Sequence, residues 1–258
     1  MSQNQQVQDK DYFDFLMDEA NHPFTGWDFS HITATRRMVE GALSWSYASK
    51  ILMRLRQIPS LLDMGTGGGE FFSSLHPLPE HTCATEGYAP NVPIARQRLE
   101  PLGVKVYEVS DPHRLPFAEN EFDLVINRHE YYDPQEVMRV LKPGHQFITQ
   151  QVGGSNDVEL LQMLGGGEYK YAYWTLDYAV KELEAAGWKI VEQREDFPVT
   201  RFFDVGAVVF FLKAIPWHIS DFSVEKYFDK LVEMHNVIQA QNYFDVHDHR
   251  FLIVAEKP

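Results

Sequence analysis

Residues Leu61-Leu62-Asp63-Met64-Gly65-Thr66-Gly67-Gly68-Gly69 set a short apolar run directly before a glycine-rich turn. A run of that length ended by glycines reads as a buried strand entering a tight turn. Glycine has no Cβ, so the backbone there can approach a ligand closely. A helix opening at about Glu70 turns its N-terminal amides the same way. A dinucleotide fingerprint needs glycine at the first, third and sixth places. The first and third here are Gly65 and Gly67, but the sixth is Glu70. An acid at a helix start repels a pyrophosphate, so the loop suits a nucleoside ligand better than NAD or FAD. A Rossmann dehydrogenase is correspondingly disfavoured.

The pattern around this loop repeats strand, turn and helix. Further strands are expected at 81–86, 104–109, 122–127, 146–152, 189–194 and 250–255, with helices at about 70–75, 92–99 and 134–140 between the early ones. Thr175 is the expected N-cap of a helix whose apolar face is Leu176, Ala179, Val180 and Leu183 and which stops at Gly187. Trp45 to Arg56 is expected to be helical, with Ile51, Leu52 and Leu55 on its apolar face. Alternation at this spacing implies right-handed crossovers and a mostly parallel sheet. Residues 1–10 read as a loosely held start, and 11–44 as one or two short helices covering something. Lys142–His145 is expected to be a turn, and 198–246 an excursion with two apolar helical segments.

The remaining motifs give these elements a recognisable order. Asp63, Gly65, Gly67 and Gly69 resemble motif I of the class I S-adenosylmethionine-dependent methyltransferases, with a domain of the methyltransferase type 11 kind. Glu86 follows 23 residues after Asp63, at the end of the second strand. Asp111-Pro112-His113-Arg114-Leu115-Pro116-Phe117, Phe122-Asp123-Leu124-Val125 and Val140-Leu141-Lys142-Pro143-Gly144 resemble the family's later motifs in order. The resemblance implies an α/β fold: a Rossmann-like, doubly wound, seven-stranded, mostly parallel sheet with helices on both faces, here with N-terminal and late C-terminal helical caps. The expected division is a lid segment at 1–44 and a methyltransferase domain at 45–258, with a cap inserted at about 198–246. It further implies S-adenosyl-L-methionine as cofactor, S-adenosyl-L-homocysteine as product, and a cofactor site of Asp63, Gly65, Thr66, Gly67, Gly69, Glu86, Gly87, Asp111, His113 and Asn127. Glu86 would accept both ribose hydroxyls and Asp111 the adenine amino group. One departure is Pro112, which lacks the N–H that the family usually offers to an adenine nitrogen. His113 would have to supply it, or the contact is lost.

The methyl acceptor is expected beside Asn127-Arg128-His129-Glu130-Tyr131-Tyr132, after the fourth strand. His129 or Glu130 is the candidate base, and Arg128 a holder of an anionic group. Tyr131, Trp45 and Tyr47 are the other candidate substrate contacts. The blander alternatives are that Arg128 and Glu130 pair or cap the following helix and that His129 simply packs. Gln150 and Gln151, at the end of the fifth strand, either face the site or cap the strand. His247-Asp248-His249 alternates metal-ligand types on a strand, but with no third ligand in sight a solvated turn is preferred and no metal is expected. The stripe Tyr227, Phe228, Leu231, Met234 and Ile238 reads as packing or a dimer surface.

Composition narrows the partners. The formal net charge of −14 repels polyphosphate, so a small-molecule acceptor is favoured over nucleic acid. The longest apolar run, Val205 to Leu212, is too short to cross a bilayer, and Cys83 is the single cysteine, which suits a reducing cytoplasm. A homodimer is an option. Two other readings stay open: an RNA methyltransferase, which would need a basic groove, and a protein that binds S-adenosylmethionine without turning it over.

Overall fold

The computed structural model describes residues 3–167 and 169–258, with side chains from residue 10 on. In chain order come α1 (Gln3–Asn21), α2 (Ser30–Thr33), β1 (Met38–Glu40) and α3 (Tyr47–Leu55). Next are β2 (Ser60–Met64), α4 (Glu70–Ser73), β3 (His81–Glu86), α5 (Asn91–Leu99), β4 (Lys105–Glu108), β5 (Phe122–Arg128), α6 (Pro134–Val140) and β6 (Leu141–Val152). Then follow α7 (Val158–Leu164), α8 (Leu176–Ala185), β7 (Lys189–Asp196), β8 (Val199–Phe202), α9 (Val205–Ala214), α10 (Val224–Gln241), β9 (Phe244–His247) and β10 (Arg250–Glu256). The chain divides into two compact units. One takes the residues up to Ala42 with Ser155–Lys170 and Phe197–Asp248; the other takes Leu43–Gly154, Tyr171–Asp196 and His249–Pro258.

The second unit is built on a seven-stranded sheet of order β4-β3-β2-β5-β6-β10-β7. β2 lies parallel to β3 and β5, β3 to β4, and β5 to β6, whereas β10 runs antiparallel to both β6 and β7. This is the Rossmann-like, doubly wound α/β architecture that the motifs imply. β2 is buried at every position, as a strand covered on both faces must be. The chain moves outward from β2 to β4 and then restarts on the other side at β5. The order therefore reverses between β2 and β5, and ligands of such sheets bind outside the carboxyl ends of the strands at that point.

Local chemistry explains the elements. Thr175 caps α8 by accepting from Tyr178, as expected, and Ser46 caps α3 by accepting from the Ser49 amide. On α3, Ile51 and Leu55 are buried but Leu52 is exposed. The expected turn at Lys142–His145 lies inside β6 instead. Pairing jumps from Phe122↔Leu141 to Leu124↔Gln146, and Gly144 takes up the irregularity at φ +74°.

The first unit holds a three-stranded antiparallel sheet of order β1-β8-β9. Its core is α9, buried on almost every side chain, against which Leu16, Leu231, Met234 and Ile238 pack. Three expectations change here. Helical structure begins at Gln3, so residues 3–10 are part of α1 and only residues 1 and 2 of the expected loose start lie outside the described residues. The stretch 11–44 contains the strand β1 as well as helix, and the excursion at 198–246 contains β8 and runs into β9 besides its helices. α1 and α9 are tied by charge. Arg37 donates twice to Asp204, at 2.9 and 2.7 Å, and pairs with Glu19 at 2.8 Å, while Asp204 also caps α9 through the Ala207 amide. No helix among the described residues is long and apolar enough to cross a membrane.

One clamp in the second unit ties α6 to the loop between β4 and β5. Glu136 of α6 accepts the Leu115 amide at 2.6 Å, and Arg139 donates to the Leu115 and Phe117 carbonyls at 3.1 and 2.7 Å and back to Glu136. The Arg139 guanidinium holds the Glu136 carboxyl below the ordinary glutamate range. Arg139→Ala should therefore cost about 1–3 kcal/mol of stability, since two carbonyls and a buried carboxylate lose their partner. Because the folded value of Glu136 is depressed, its contribution is present at neutral pH and is lost as pH falls below about 4. Urea denaturation should show the gap between wild type and Glu136→Gln closing in acid; a gap independent of pH would contradict the clamp.

Candidate functional site

The glycine loop adopts a backbone that only glycine enters freely. Gly65, Gly67 and Gly69 have φ of +69°, +62° and +79°. The loop is fastened to the end of β3: the Thr66 amide donates to the Thr85 carbonyl at 2.9 Å, and the Gly67 amide to Glu86 Oε2 at 2.6 Å. The other oxygen of Glu86 accepts the Tyr88 amide at 2.7 Å. Burial raises the Glu86 carboxyl, and these amide hydrogen bonds hold the rise in check. A carboxylate has about four lone-pair sites, so Glu86 keeps acceptor capacity beyond the two amides. Gly87 has no room for a Cβ, which would come within 2.9 Å of the Val109 carbonyl oxygen.

Asp63 is buried beneath the loop. Burial pushes its carboxyl up to about 7, with Arg128 pulling it down and Glu86 pushing it further up. Glu130 reaches the same place from β5, since a Cβ on Gly65 would collide with its side chain. The Glu130 carboxyl is raised by partial burial and by Glu86. Asp63, Glu86 and Glu130 thus gather around Gly65–Gly67, and Arg128 balances part of their charge while lying 4.7 Å over the Phe71 ring. An arrangement richer in carboxylates than in cations favours a ligand that carries positive charge.

Glu70 has a different role from the one its position suggests. Its carboxylate pairs with Arg98, which also donates to the Gly68 carbonyl. The charge meant to turn a pyrophosphate away is largely balanced, and the case against a dinucleotide rests on the missing sixth glycine and the acids at the loop.

Other expected residues are less available than their positions imply. Asn127 is fully buried: its Oδ1 accepts from Thr149 and Gln151 at 2.9 and 2.6 Å, so its side chain braces the strand ends. Tyr47 donates to the Asn127 carbonyl at 2.9 Å, and Trp45 to Gln150 Oε1 at 2.9 Å; both rings are buried and fix the start of α3 to the sheet. Asp111 is exposed and accepts the His113 amide at 3.0 Å, so the amide that was to replace the one lost at Pro112 is already engaged. His113 in turn pairs with Asp133 at 2.5 Å and meets Tyr131 edge-on at 5.8 Å. Asp111, His113 and Tyr131 thus form a second group, and among the described residues no hydrogen bond joins Asp111 to the glycine loop. His129 has φ +61° and accepts from Gln150 through Nε2 at 3.1 Å; burial, with Arg250 and Arg128 adding to it, pushes its imidazole well below the ordinary histidine range. Gln151 ties Asn127 to the Glu130 carbonyl.

Arg98 and Thr85 hold the glycine loop without having been singled out from the sequence. In the His247-Asp248-His249 run, His247 pairs with Glu159 at 2.6 Å and His249 with Glu195 at 2.9 Å, while Asp248 accepts from Thr200.

Residues 62–149 match the family model described as a methyltransferase domain. No curated protein matches the chain. Among solved structures, a candidate methyltransferase from Bacillus halodurans C-125 is 20% identical, with TM-score 0.58 over 83% of this chain and 100% of that one. The YcgJ protein from Bacillus subtilis is 15% identical, with TM-score 0.54 over 81% and 97%. The [4+2]-cyclase SpnF is 15% identical, with TM-score 0.52 over 94% and 92%. The domain match and the shared fold bear out the resemblance to class I S-adenosylmethionine-dependent methyltransferases.

Two sets of variants separate support from contact. Gly67→Ala meets nothing within 4 Å and should cost only its left-handed φ, about 1–2 kcal/mol. Gly69→Ala adds a clash with Leu99 at 2.8 Å and should cost more. Tyr47→Phe should lower stability by about 0.5–1.5 kcal/mol and leave ligand affinity unchanged. A loss of affinity without loss of stability would make Tyr47 a contact rather than a strut.

Proposed function

We propose that the unit carrying the methyltransferase domain binds S-adenosyl-L-methionine at the carboxyl ends of β2 and β3 and that the chain transfers the methyl group to a small molecule. The observation that carries this reading is Glu86, a carboxylate anchored by two backbone amides with acceptor capacity to spare, beside a glycine loop with room above Gly67. A vicinal diol matches such a carboxylate, and the acids around Gly65 match the positive charge of a sulfonium and an ammonium. The donor set therefore fits this cofactor. Asp63, Gly65, Thr66, Gly67, Gly69, Glu86 and Gly87 would hold it, with Asp111 more remote in its own turn.

When bound, the cofactor supplies a methyl group on a positively charged sulfur, ready for in-line displacement by a nucleophile. The protein's share is to align the nucleophile, exclude water and, for an acceptor that must lose a proton, provide a base. Glu130 is the better base in this geometry. Its carboxyl is raised and it lies over Gly65, whereas the Nε2 lone pair of His129 is occupied by Gln150. Arg128 is the candidate holder of an anionic acceptor group. The net charge of −14 supports a small molecule over RNA. The SpnF likeness supports keeping a second reading, in which the fold serves a reaction other than methyl transfer.

Titration calorimetry with S-adenosylmethionine, S-adenosylhomocysteine and NAD tests the reading directly: the first two should bind and NAD should not. Glu86→Gln should weaken both by about 1–3 kcal/mol. Binding of NAD alone, or affinity indifferent to Glu86, would overturn the assignment.

A further inference from the structure

We propose that His129 is a neutral hydrogen-bond donor at the carboxyl end of β5 rather than a base, and that Trp45 and Gln150 are positioning residues that set its tautomer. The tautomer follows from which atoms can only donate. The Trp45 indole has an N–H and no acceptor, so the atom it meets at 2.9 Å must be the carboxamide oxygen of Gln150. That orientation leaves the Gln150 NH2 facing His129 Nε2 at 3.1 Å. An amide nitrogen only donates, so Nε2 must accept, and a neutral imidazole with Nε2 bare carries its proton on Nδ1. Protonating Nε2 would set one N–H against another and add a cation beside Arg128 and Arg250, both of which already push the ring towards neutrality.

The backbone agrees with the ring. His129 occupies the left-handed region at φ +61°, a strained backbone for a non-glycine residue. Its amide donates to the Gln150 carbonyl at 2.8 Å. Gln150 therefore holds both the backbone and the imidazole of the residue next to Glu130, and Trp45 holds Gln150. Such local strain is kept where the surroundings fix a side chain for use. The consequence for chemistry, which rests on the proposed methyltransferase function, is a division of roles. The His129 Nδ1–H serves an oxygen or bare nitrogen of a bound molecule, and proton removal falls to Glu130.

The test is nitrogen-15 NMR of the histidine rings in the full-length protein, with the His129 signals assigned through His129→Asn. The wild type should show His129 as a single Nδ1–H tautomer that does not titrate between about pH 5.5 and 8. Gln150→Met, which removes the amide, should give a mixture of tautomers. Gln150→Glu keeps an oxygen for Trp45 and turns an acceptor towards the ring, so Nε2 should become protonated and the titration should move up by about one pH unit or more. Trp45→Phe should loosen the tautomer as Gln150→Met does. Thermal melts identify any variant that fails to fold, and the wild-type signals and the remaining variants still decide the matter. An Nε2–H tautomer in the wild type, ordinary histidine titration, or indifference to both Gln150 variants would overturn the proposal. Calorimetry with S-adenosylhomocysteine on the same samples reports separately on the cofactor. Its failure would sink the proposed function and leave the tautomer result standing.

Discussion

The Glu86 carboxylate, shared between the amides of Gly67 and Tyr88, is the interaction on which the site depends. It joins the loop after β2 to the loop after β3, two segments that would otherwise be independent turns at the sheet edge. The loop after β2 has left-handed glycines and few side chains of its own, so its shape must come from a neighbour. A charged acceptor makes stronger hydrogen bonds to amides than a neutral one. That strength is suited to holding a flexible segment still. Burial raises the carboxyls of Asp63 and Glu130, and the same carboxylate adds to the rise in both.

Much of the sheet was readable from residues alone, for a physical reason. Strands such as β2 and β5 are buried on both faces, and their apolar runs and closing polar residues mark their ends. The cap at Thr175 is local chemistry and was equally plain, whereas the one at Ser46, inside a stretch expected to be helical from Trp45, was not. The small sheet was not readable. β8 and β9 are four residues each, mix charged with apolar side chains, and pair across some forty residues of chain. Within the site, the positions of Asp63, Glu86 and Glu130 followed from motif order. What each side chain touches did not. Arg98 is 28 residues from Glu70, and Trp45 is 105 from Gln150, and no local pattern announces such pairs. Of the two outcomes left open at Pro112, a short local turn decides against His113, whose amide Asp111 accepts.

A cyclase and methyltransferase-like proteins share this fold at similar TM-scores, so the architecture alone does not choose a reaction. Beyond the shared fold stand a few side chains at the carboxyl ends of β5 and β6. There the chain has placed a strained histidine, a carboxylate laid on a glycine and two glutamines, each with a hydrogen-bond partner. Rigid surroundings of this kind favour chemistry that depends on alignment.

β10 occupies the interior of the large sheet, between β6 and β7, although it follows both in the chain and comes after β8 to β9. During synthesis, β6 therefore emerges with one edge unpaired, and β7 has no strand to join until β10 arrives. An open edge of β6, which carries the buried run Phe147 to Gln151, is a template for pairing with another chain. Folding of this protein is thus exposed to aggregation over the interval between the two strands.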